Sequence, residues 1–253
     1  MNDFKFGIIL AAYNSSGTID SCLRSWIEFQ KNNNNLEICA ISLPFEEYKE
    51  IGHEEDNTAE ILVKDYNIET ITQPRYIKES DARTLAYNQL IDKGCDYVWI
   101  LDADEIYTED EISGIIRFVS LNEFVNSFNI NFKNYVFDGN CWIDGFCPPR
   151  IFKTNGSKGF YWDNDMVYSV NDSTKDISYK NLSQMVIPKR VAHVKHLTWI
   201  NNETTKNKIK YQEKHFNNGA GCSYKWNDQQ NCLEFNEEYF KKTGETIPKL
   251  NFD

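Results

Sequence analysis

Asp102-Ala103-Asp104-Glu105 places three carboxylates within four residues, directly after the apolar run Tyr97-Val98-Trp99-Ile100-Leu101. Two carboxylates one residue apart at a strand end can hold a divalent cation through oxygen ligands, and the cation can neutralise a diphosphate. The same residues also fit a solvated acidic turn, although Thr108-Glu109-Asp110-Glu111 already supplies a capping box for the helix that follows. Placement favours chemistry. A continuous apolar run is what a central parallel strand buried on both faces requires, and open α/β sheets bind ligands beyond the carboxyl ends of such strands.

Other residues could join this site. His193 and His196 flank the apolar segment Val191–Leu197. Each fits a satisfied core or surface histidine, and each fits a Mn²⁺ ligand if its strand returns beside the Asp104 loop. Asp163 and Asp165 stand among Phe160, Tyr161, Trp162 and Met166. Burial there would raise a carboxyl pKa toward that of a general base, whereas an Asx-rich turn is the plainer reading. Arg83 falls in the first turn of a helix, where the dipole disfavours a cation, so it calls for an anionic partner at a site or for Glu79 or Asp81. Trp142, Gly145 and Phe146, between Cys141 and Cys147, suit either a sugar-stacking platform or a small loop core.

The elements that must position these residues follow from hydrophobic periodicity. Phe6–Ala12 is a short apolar run ending at the polar turn Tyr13–Gly17, and Ile19, Cys22, Leu23, Trp26 and Ile27 then mark one helix face. This strand, turn and helix open a βαβ unit. Ile38–Leu43 predicts a second strand, Thr58–Val63 a helix capped by Asp56 or Asn57, and Ile68–Thr72 a third strand closed by Pro74. Ser80 or Asp81 caps a helix carrying Ala82, Leu85, Ala86 and Leu90 inward, with Gly94 at the left-handed position past its end. After Tyr97–Leu101 comes a helix bearing Ile112, Ile115, Ile116 and Val119. Phe128–Val136 alternates as one half-buried strand, Arg150–Lys153 and Val186–Leu197 read as further strands, and Thr204–Phe216 predicts a Lys-rich helix. The expected organisation is an α/β half over 1–125, a second half of the same domain over 126–200, and a helical or irregular extension over 201–253, a possible lid; the family resemblance given below implies that the first half binds the nucleotide and the second faces the acceptor.

Composition bounds the partners. The chain has 253 residues, 41% hydrophobic and 14% aromatic, with 27 Lys and Arg against 38 Asp and Glu and a net charge of -11. That is ample for a core and argues against nucleic acid as a partner. The balance is uneven: residues 1–188 carry 16 basic and 30 acidic residues, and 189–253 carry 11 and 8. An anion would therefore meet the tail, where Lys206, Lys208 and Lys210 cluster, or would need a metal. Seven scattered cysteines without zinc spacing suit a reduced, cytoplasmic protein. The start carries no signal-like segment, and no apolar run approaches the roughly 20 residues of a membrane span, so membrane contact is expected to be peripheral at most.

Ile8-Ile9-Leu10-Ala11-Ala12-Tyr13-Asn14 with Leu23 and Trp26, then Ala82-Arg83 to Asn88 and Tyr97 to Glu105, resemble the opening and the helix-strand-DxD block of glycosyltransferase family 2. Pro149-Arg150-Ile151-Phe152 and His196-Leu197-Thr198-Trp199 are similar to looser C-terminal motifs of that family. The resemblance covers residues 5–120 best. It implies a GT-A fold, an α/β sandwich with a mixed central sheet, and transfer of a sugar from a nucleotide-sugar donor with inversion, assisted by Mn²⁺ or Mg²⁺. By position, Ala12, Tyr13 and Asn14 border the nucleotide. Arg83 approaches the base or diphosphate, Asp102 the ribose or metal, and Asp104 the metal. His196 is the C-terminal metal ligand with His193 in reserve, and Asp165, then Asp163, is the base. Where the family often has an Asp-Asp-Gly-Ser turn, this chain has Ser42-Leu43-Pro44-Phe45, and Asp56 is the displaced counterpart. A UDP-sugar is the favoured donor, with GDP and TDP open. The acceptor is a glycan, a lipid-linked glycan or a protein. A nucleotidyltransferase-like enzyme and a catalytically silent carbohydrate-binding protein of the same fold are the alternatives.

Overall fold

The computed structural model describes residues 4–46, 49, 56–72, 76–154, 157–163, 166–171, 183–200, 205–206, 209 and 223–252, with backbone alone for 157–163 and 166–171. The chain forms two compact units, one of Met1–Asn131 with Cys147–Val194 and the other of Phe132–Phe146 with Lys195–Asp253. Each unit is thus built from two stretches of the sequence.

The first unit is built on β1 (Phe6–Ala11), α1 (Ile19–Lys31), β2 (Leu36–Ile41), α2 (Thr58–Lys64), β3 (Glu69–Ile71), α3 (Glu79–Asp92), β4 (Tyr97–Asp102), β5 (Glu105–Ile106), α4 (Glu109–Leu121) and β6 (Ser127–Asn129). The chain then enters the second unit through β7 (Phe132–Phe137) and β8 (Cys141–Ile143), and returns as β9 (Pro149–Lys153), β10 (Ser157–Asp163), β11 (Met166–Asn171) and β12 (Gln184–Val186). It finishes with β13 (Val194–Ile200), β14 (Tyr224–Asn227), β15 (Cys232–Phe235), a helix over Glu237–Thr243 and β16 (Asn251–Phe252).

Seven strands form a mixed sheet in the order β12-β6-β9-β4-β1-β2-β3. β3, β2, β1 and β4 run parallel, and β9 is antiparallel to both β4 and β6. The central strands β1 and β4 are buried up to their last residues, Ala11 and Asp102, as their unbroken apolar sequences require. On α1 the periodic residues Ile19, Cys22, Leu23 and Trp26 are all buried. Trp26 meets Trp99 of β4 edge-on at 4.7 Å and Tyr107 at 5.2 Å, a three-ring cluster completed by Trp99 and Tyr107 at 5.4 Å. Each such pair adds about 0.5–1.5 kcal/mol beyond the area it buries.

The α3 terminus follows from Gly94. Its φ of +77° allows the Gly94 N–H to reach Ile91 O at 2.8 Å and the Cys95 N–H to reach Leu90 O at 3.1 Å. This Schellman closure delivers the chain straight into β4. Ala82, Ala86 and Leu90 are buried as expected, whereas Leu85 is exposed. The expected helix of 109–121 carries a complete capping box between Thr108 and Glu111.

Two expected strands are each divided. Phe128–Val136 breaks at Ile130-Asn131, because β6 belongs to the seven-stranded sheet and β7 to the sheet of the second unit. Val186–Leu197 breaks at a turn over 188–191, where Val191 and Ala192 N–H both donate to Pro188 O. Alternation records that residues face inward, not which sheet they join.

In the second unit β16, β8, β7 and β13 lie side by side in that order, and β14 with β15 forms a hairpin. Val136, Cys141, Ile209, Tyr224 and Leu233 make its core, with Trp199, Trp226 and Phe235 packed against them. The hairpin and β16 occupy a region expected to be helical or irregular. Lys208, Lys210 and most of the predicted 204–216 helix lie outside the described residues. Among the described residues no helix is long and apolar enough to cross a membrane.

Candidate functional site

β1 is paired with β2 on one side and β4 on the other, so the strand order turns at β1/β4. Such a switch point leaves a crevice beyond the carboxyl ends of the strands. Ala11 and Asp102 are register partners there, and Ala103 N–H donates to Ala11 O at 3.2 Å. The loop after β1 and the turn after β4 therefore leave the sheet side by side.

The acidic turn is bound to two buried arginines. Arg83 of α3 donates from Nη2 to Asp102 Oδ1 at 2.9 Å and to Glu79 Oε1 at 2.5 Å. Arg150 of β9 donates from Nη2 to Asp102 Oδ2 at 2.8 Å, and the same nitrogen contacts Glu105 Oε1. Glu105 is fully buried and its Oε2 accepts from Tyr107 Oη at 3.1 Å. A continuous polar chain, Glu79–Arg83–Asp102–Arg150–Glu105–Tyr107, thus runs beneath the turn, ending in the three-ring cluster of Trp26, Trp99 and Tyr107.

Charge states follow from this packing. Burial works against the Arg83 and Arg150 cations, but Glu79 with Asp102, and Glu105 with Asp102, outweigh it and hold both guanidinium groups protonated. Burial pushes the Glu105 carboxyl up to about 8, against the pull of Arg150, and the negative charges of Asp102 and Asp104 act with burial. Cys22 Sγ lies 3.7 Å from Asp102 O, and burial beside these three carboxylates pushes its thiol well up, so it stays a neutral packing group.

Asp104 occupies the apex of the turn and is half-buried. Asp102 has an arginine on each oxygen. Sequence reasoning grouped Asp102 and Asp104 as one motif; the structure gives them different surroundings. Arg83 was expected to meet either a ligand or Glu79 or Asp81, and it meets Glu79 and Asp102 with only 2% exposure.

The loop after β1 is locked by the start of α2. Ala12 is buried, and its N–H donates to Ile41 O at 2.9 Å. Asn14 adopts a left-handed φ of 51° and accepts on Oδ1 from Asp56 N–H at 3.1 Å. Asp56 returns the bond: Oδ2 accepts from Ser16 N–H at 3.0 Å, and Oδ1 from Thr58 N–H at 2.9 Å and Thr58 Oγ1 at 2.5 Å. Thr58 Oγ1 also accepts from Ser15 N–H at 2.8 Å. Burial opposes the Asp56 charge, but these bonds from Thr58 and Ser16 outweigh it and hold the carboxyl below its ordinary value. Asp56, expected to read a nucleobase, is a clasp between two loops with both oxygens engaged. Tyr13, at the same loop, is half-buried.

His193 and His196 fall in different units. In the first, His193 N–H donates to Glu111 Oε1 at 3.0 Å. In the second, His196 is 7% exposed, with Nδ1 2.6 Å from Asn134 Oδ1 and its ring stacked on Phe146 at 5.6 Å. An amide oxygen only accepts, so Nδ1 is the nitrogen that donates in this contact. Phe146, 43% exposed, and the half-buried Trp142 bring the aromatics of the 141–147 loop to the second unit's surface. Among the described residues no group of three or more His, Cys, Asp and Glu side chains converges as a cage for a metal ion. Asp163 ends β10 opposite Met166, with its side chain undescribed, and Asp165 lies outside the described residues.

Sequence reasoning passed over Glu105 and Arg150 as working parts. A signal existed: Arg150 interrupts an otherwise apolar inward strand segment, Ile151-Phe152, and a buried guanidinium needs a carboxylate.

Comparison with protein-family models and with curated protein sequences gives no match. Solved structures do match. Residues 1–349 of Staphylococcus aureus TarS align with a TM-score of 0.50 at 14% identity, over 83% of this chain and 64% of that one. The Pyrobaculum calidifontis mannosyltransferase PcManGT, in complex with GDP-Man and Mn²⁺, aligns with a TM-score of 0.52 at 11% identity, over 84% of this chain and 61% of that one. The chain spans less than two thirds of the length of either, and 28% of a longer TarS structure. It has the mixed α/β fold of these glycosyltransferases, the GT-A architecture expected from its sequence.

Proposed function

We propose that this protein transfers a sugar from a nucleoside-diphosphate sugar to an acceptor hydroxyl, with inversion, using a divalent cation. The carrying observation is the Asp102–Glu105 turn at the β1/β4 switch point, with Asp104 at its apex and Asp102 held by two arginines. The fold shared with a mannosyltransferase that binds GDP-Man and Mn²⁺ supports the reading.

The donor set fits Mn²⁺ or Mg²⁺ shared with a substrate. One apical carboxylate, Asp104, is too little for an all-protein cage, but such ions are commonly held by one or two carboxylates plus phosphate oxygens and water. By the family resemblance His196 is the second protein ligand in this reading, with His193 in reserve. When bound, the cation neutralises charge on the departing diphosphate. Ala12, Tyr13 and Asn14 border the nucleotide, in a loop kept in shape by Asp56. Arg83 and Arg150 hold Asp102 at its edge. Asp165, or Asp163, takes the acceptor proton as the hydroxyl oxygen bonds to the anomeric carbon and the bond to diphosphate breaks on the opposite face. A UDP-sugar is the first donor to try, followed by GDP- and TDP-sugars. The acceptor is a glycan, free, lipid-linked or on protein, and the setting is cytoplasmic.

The test is a thermal-shift panel of UDP-, GDP- and TDP-sugars with and without Mn²⁺, on wild type and Asp104→Ala. A donor at 100 times its dissociation constant adds about 2.7 kcal/mol. A Mn²⁺-dependent shift with one donor, lost in the variant, is expected. No shift with any donor would overturn the reading in favour of a silent carbohydrate-binding protein.

A further inference from the structure

The two ends of the Asp102–Glu105 turn are joined by a single atom. Arg150 Nη2 reaches Asp102 Oδ2 at 2.8 Å and also contacts Glu105 Oε1. Arg150 is anchored on β9, whose neighbouring residues Ile151 and Phe152 pair with Trp99 and Val98 of β4. Its guanidinium is 6% exposed and Glu105 is fully buried. The carboxylates that begin and end the turn are therefore fixed to the sheet through one side chain, while the residue between them, Asp104, is carried at the apex.

We propose that Arg150 is a positioning residue: by stapling Asp102 to Glu105 it sets the backbone of the turn and hence where Asp104 presents its carboxylate. Arg83 does not duplicate this role, because its bonds reach Asp102 and Glu79 and leave Glu105 untouched. Lysine is an incomplete substitute, since its ammonium sits on a flexible stem that holds two carboxylates less firmly than a guanidinium does. The functional consequence, that Asp104 placement governs cation binding beside a nucleotide, rests on the donor reading above.

Removing Arg150 alone would strand Glu105 as an unpaired buried acid, so the informative variant is the double substitution Arg150→Gln with Glu105→Gln, alongside Arg150→Lys. Two measurements separate the staple from the donor reading. Hydrogen exchange of the Ala103, Asp104 and Glu105 amides reports the turn directly. Mn²⁺ titration followed by electron paramagnetic resonance, with UDP and then GDP present, reports cation binding. The expected result is at least about tenfold faster exchange confined to the turn, with β4 and α4 protection unchanged. Mn²⁺ binding beside the nucleotide weakens about 10- to 100-fold, the usual consequence of losing an outer-shell partner. Arg150→Lys falls between. Wild-type exchange in the double variant overturns the staple. So does unchanged Mn²⁺ binding in a loosened turn, because the turn would then not govern Asp104. A loosened turn in a protein whose wild type binds no Mn²⁺ with either nucleotide upholds the staple as a fact of the turn and sinks the donor reading instead.

Discussion

Arg83 Nη2 stands 2.9 Å from Asp102 Oδ1, joining the second turn of α3 to the last residue of β4. Burial to 2% exposure removes the water from this guanidinium. Two carboxylates answer that cost: Glu79, one turn earlier in the same helix, and Asp102. The relationship divides the labour within the acidic turn. Asp102 is the hub on which α3, β4 and β9 converge, and Asp104 lies in the turn that follows.

That division predicts unequal stability effects at neighbouring positions. Asp102→Asn keeps the shape but leaves two buried guanidinium groups facing a neutral amide, so it should cost about 3 kcal/mol or more, as broken buried pairs do. Asp104→Asn should cost less than Asp102→Asn while abolishing the Mn²⁺-dependent donor binding proposed above. Urea denaturation of both variants checks this. Equal midpoints would show that Asp102 is no hub.

The first half of the fold was legible because its signals are local. The α1 stripe, the Thr108–Glu111 box, Gly94 past α3 and the Tyr97–Leu101 run each encode one element by short-range chemistry, and each is found in place. What was not legible depends on which sheet a strand joins. Ile130-Asn131 marks a passage from one sheet to another, and nothing in its alternation says so. The same holds at the site. The carboxylates were visible as a cluster, but Arg150 is 48 residues from Asp102 and meets it only because β9 folds back antiparallel on β4. Asp56 is a displaced counterpart of the family's base-reading turn through the resemblance alone. Its engagement with Ser16 and Thr58 is a tertiary fact.

The clasp at Asp56 predicts a pH dependence with a definite sign. Its folded-state pKa is lowered by hydrogen bonds from Thr58 and Ser16 that outweigh burial, so its contribution is present above the ordinary carboxyl range and lost as pH falls through the folded value. Asp56→Asn, which cannot accept in the same way on both atoms, should cost about 1 kcal/mol at pH 7. The difference between variant and wild type should shrink as the pH drops below about 4. Stability measured from pH 7 to pH 3 checks it, and a constant difference would mean that the charge plays no part.

His196 offers a spectroscopic prediction. With Asn134 Oδ1 2.6 Å away as acceptor, Nδ1 is the nitrogen that carries a proton. Nitrogen-15 spectra of the imidazole should show a proton on Nδ1. Asn134→Leu should mix the tautomers without unfolding the second unit, whose core lies on Val136, Cys141, Tyr224 and Leu233. The reverse tautomer in wild type would remove His196 from the ligand set.

Glu111 serves two elements with its two oxygens, and this gives a graded prediction. Oε2 accepts from Thr108 N–H at 3.0 Å in the capping box, and Oε1 accepts from His193 N–H at 3.0 Å. Thr108→Ala removes only the cap and should cost about 1 kcal/mol. Glu111→Ala removes the reciprocal half of the box and also strips the His193 amide of its acceptor, adding about 1–2 kcal/mol where that group is partly buried. The larger loss should therefore come from Glu111, although Thr108 is the nominal cap. Denaturation midpoints for the two variants and their double mutant decide the matter. If Glu111→Ala costs no more than Thr108→Ala, the bond to His193 adds nothing, and the 191–194 segment is held to α4 by packing, as at Gly114, where an added Cβ would lie 3.2 Å from Val191 Cγ1.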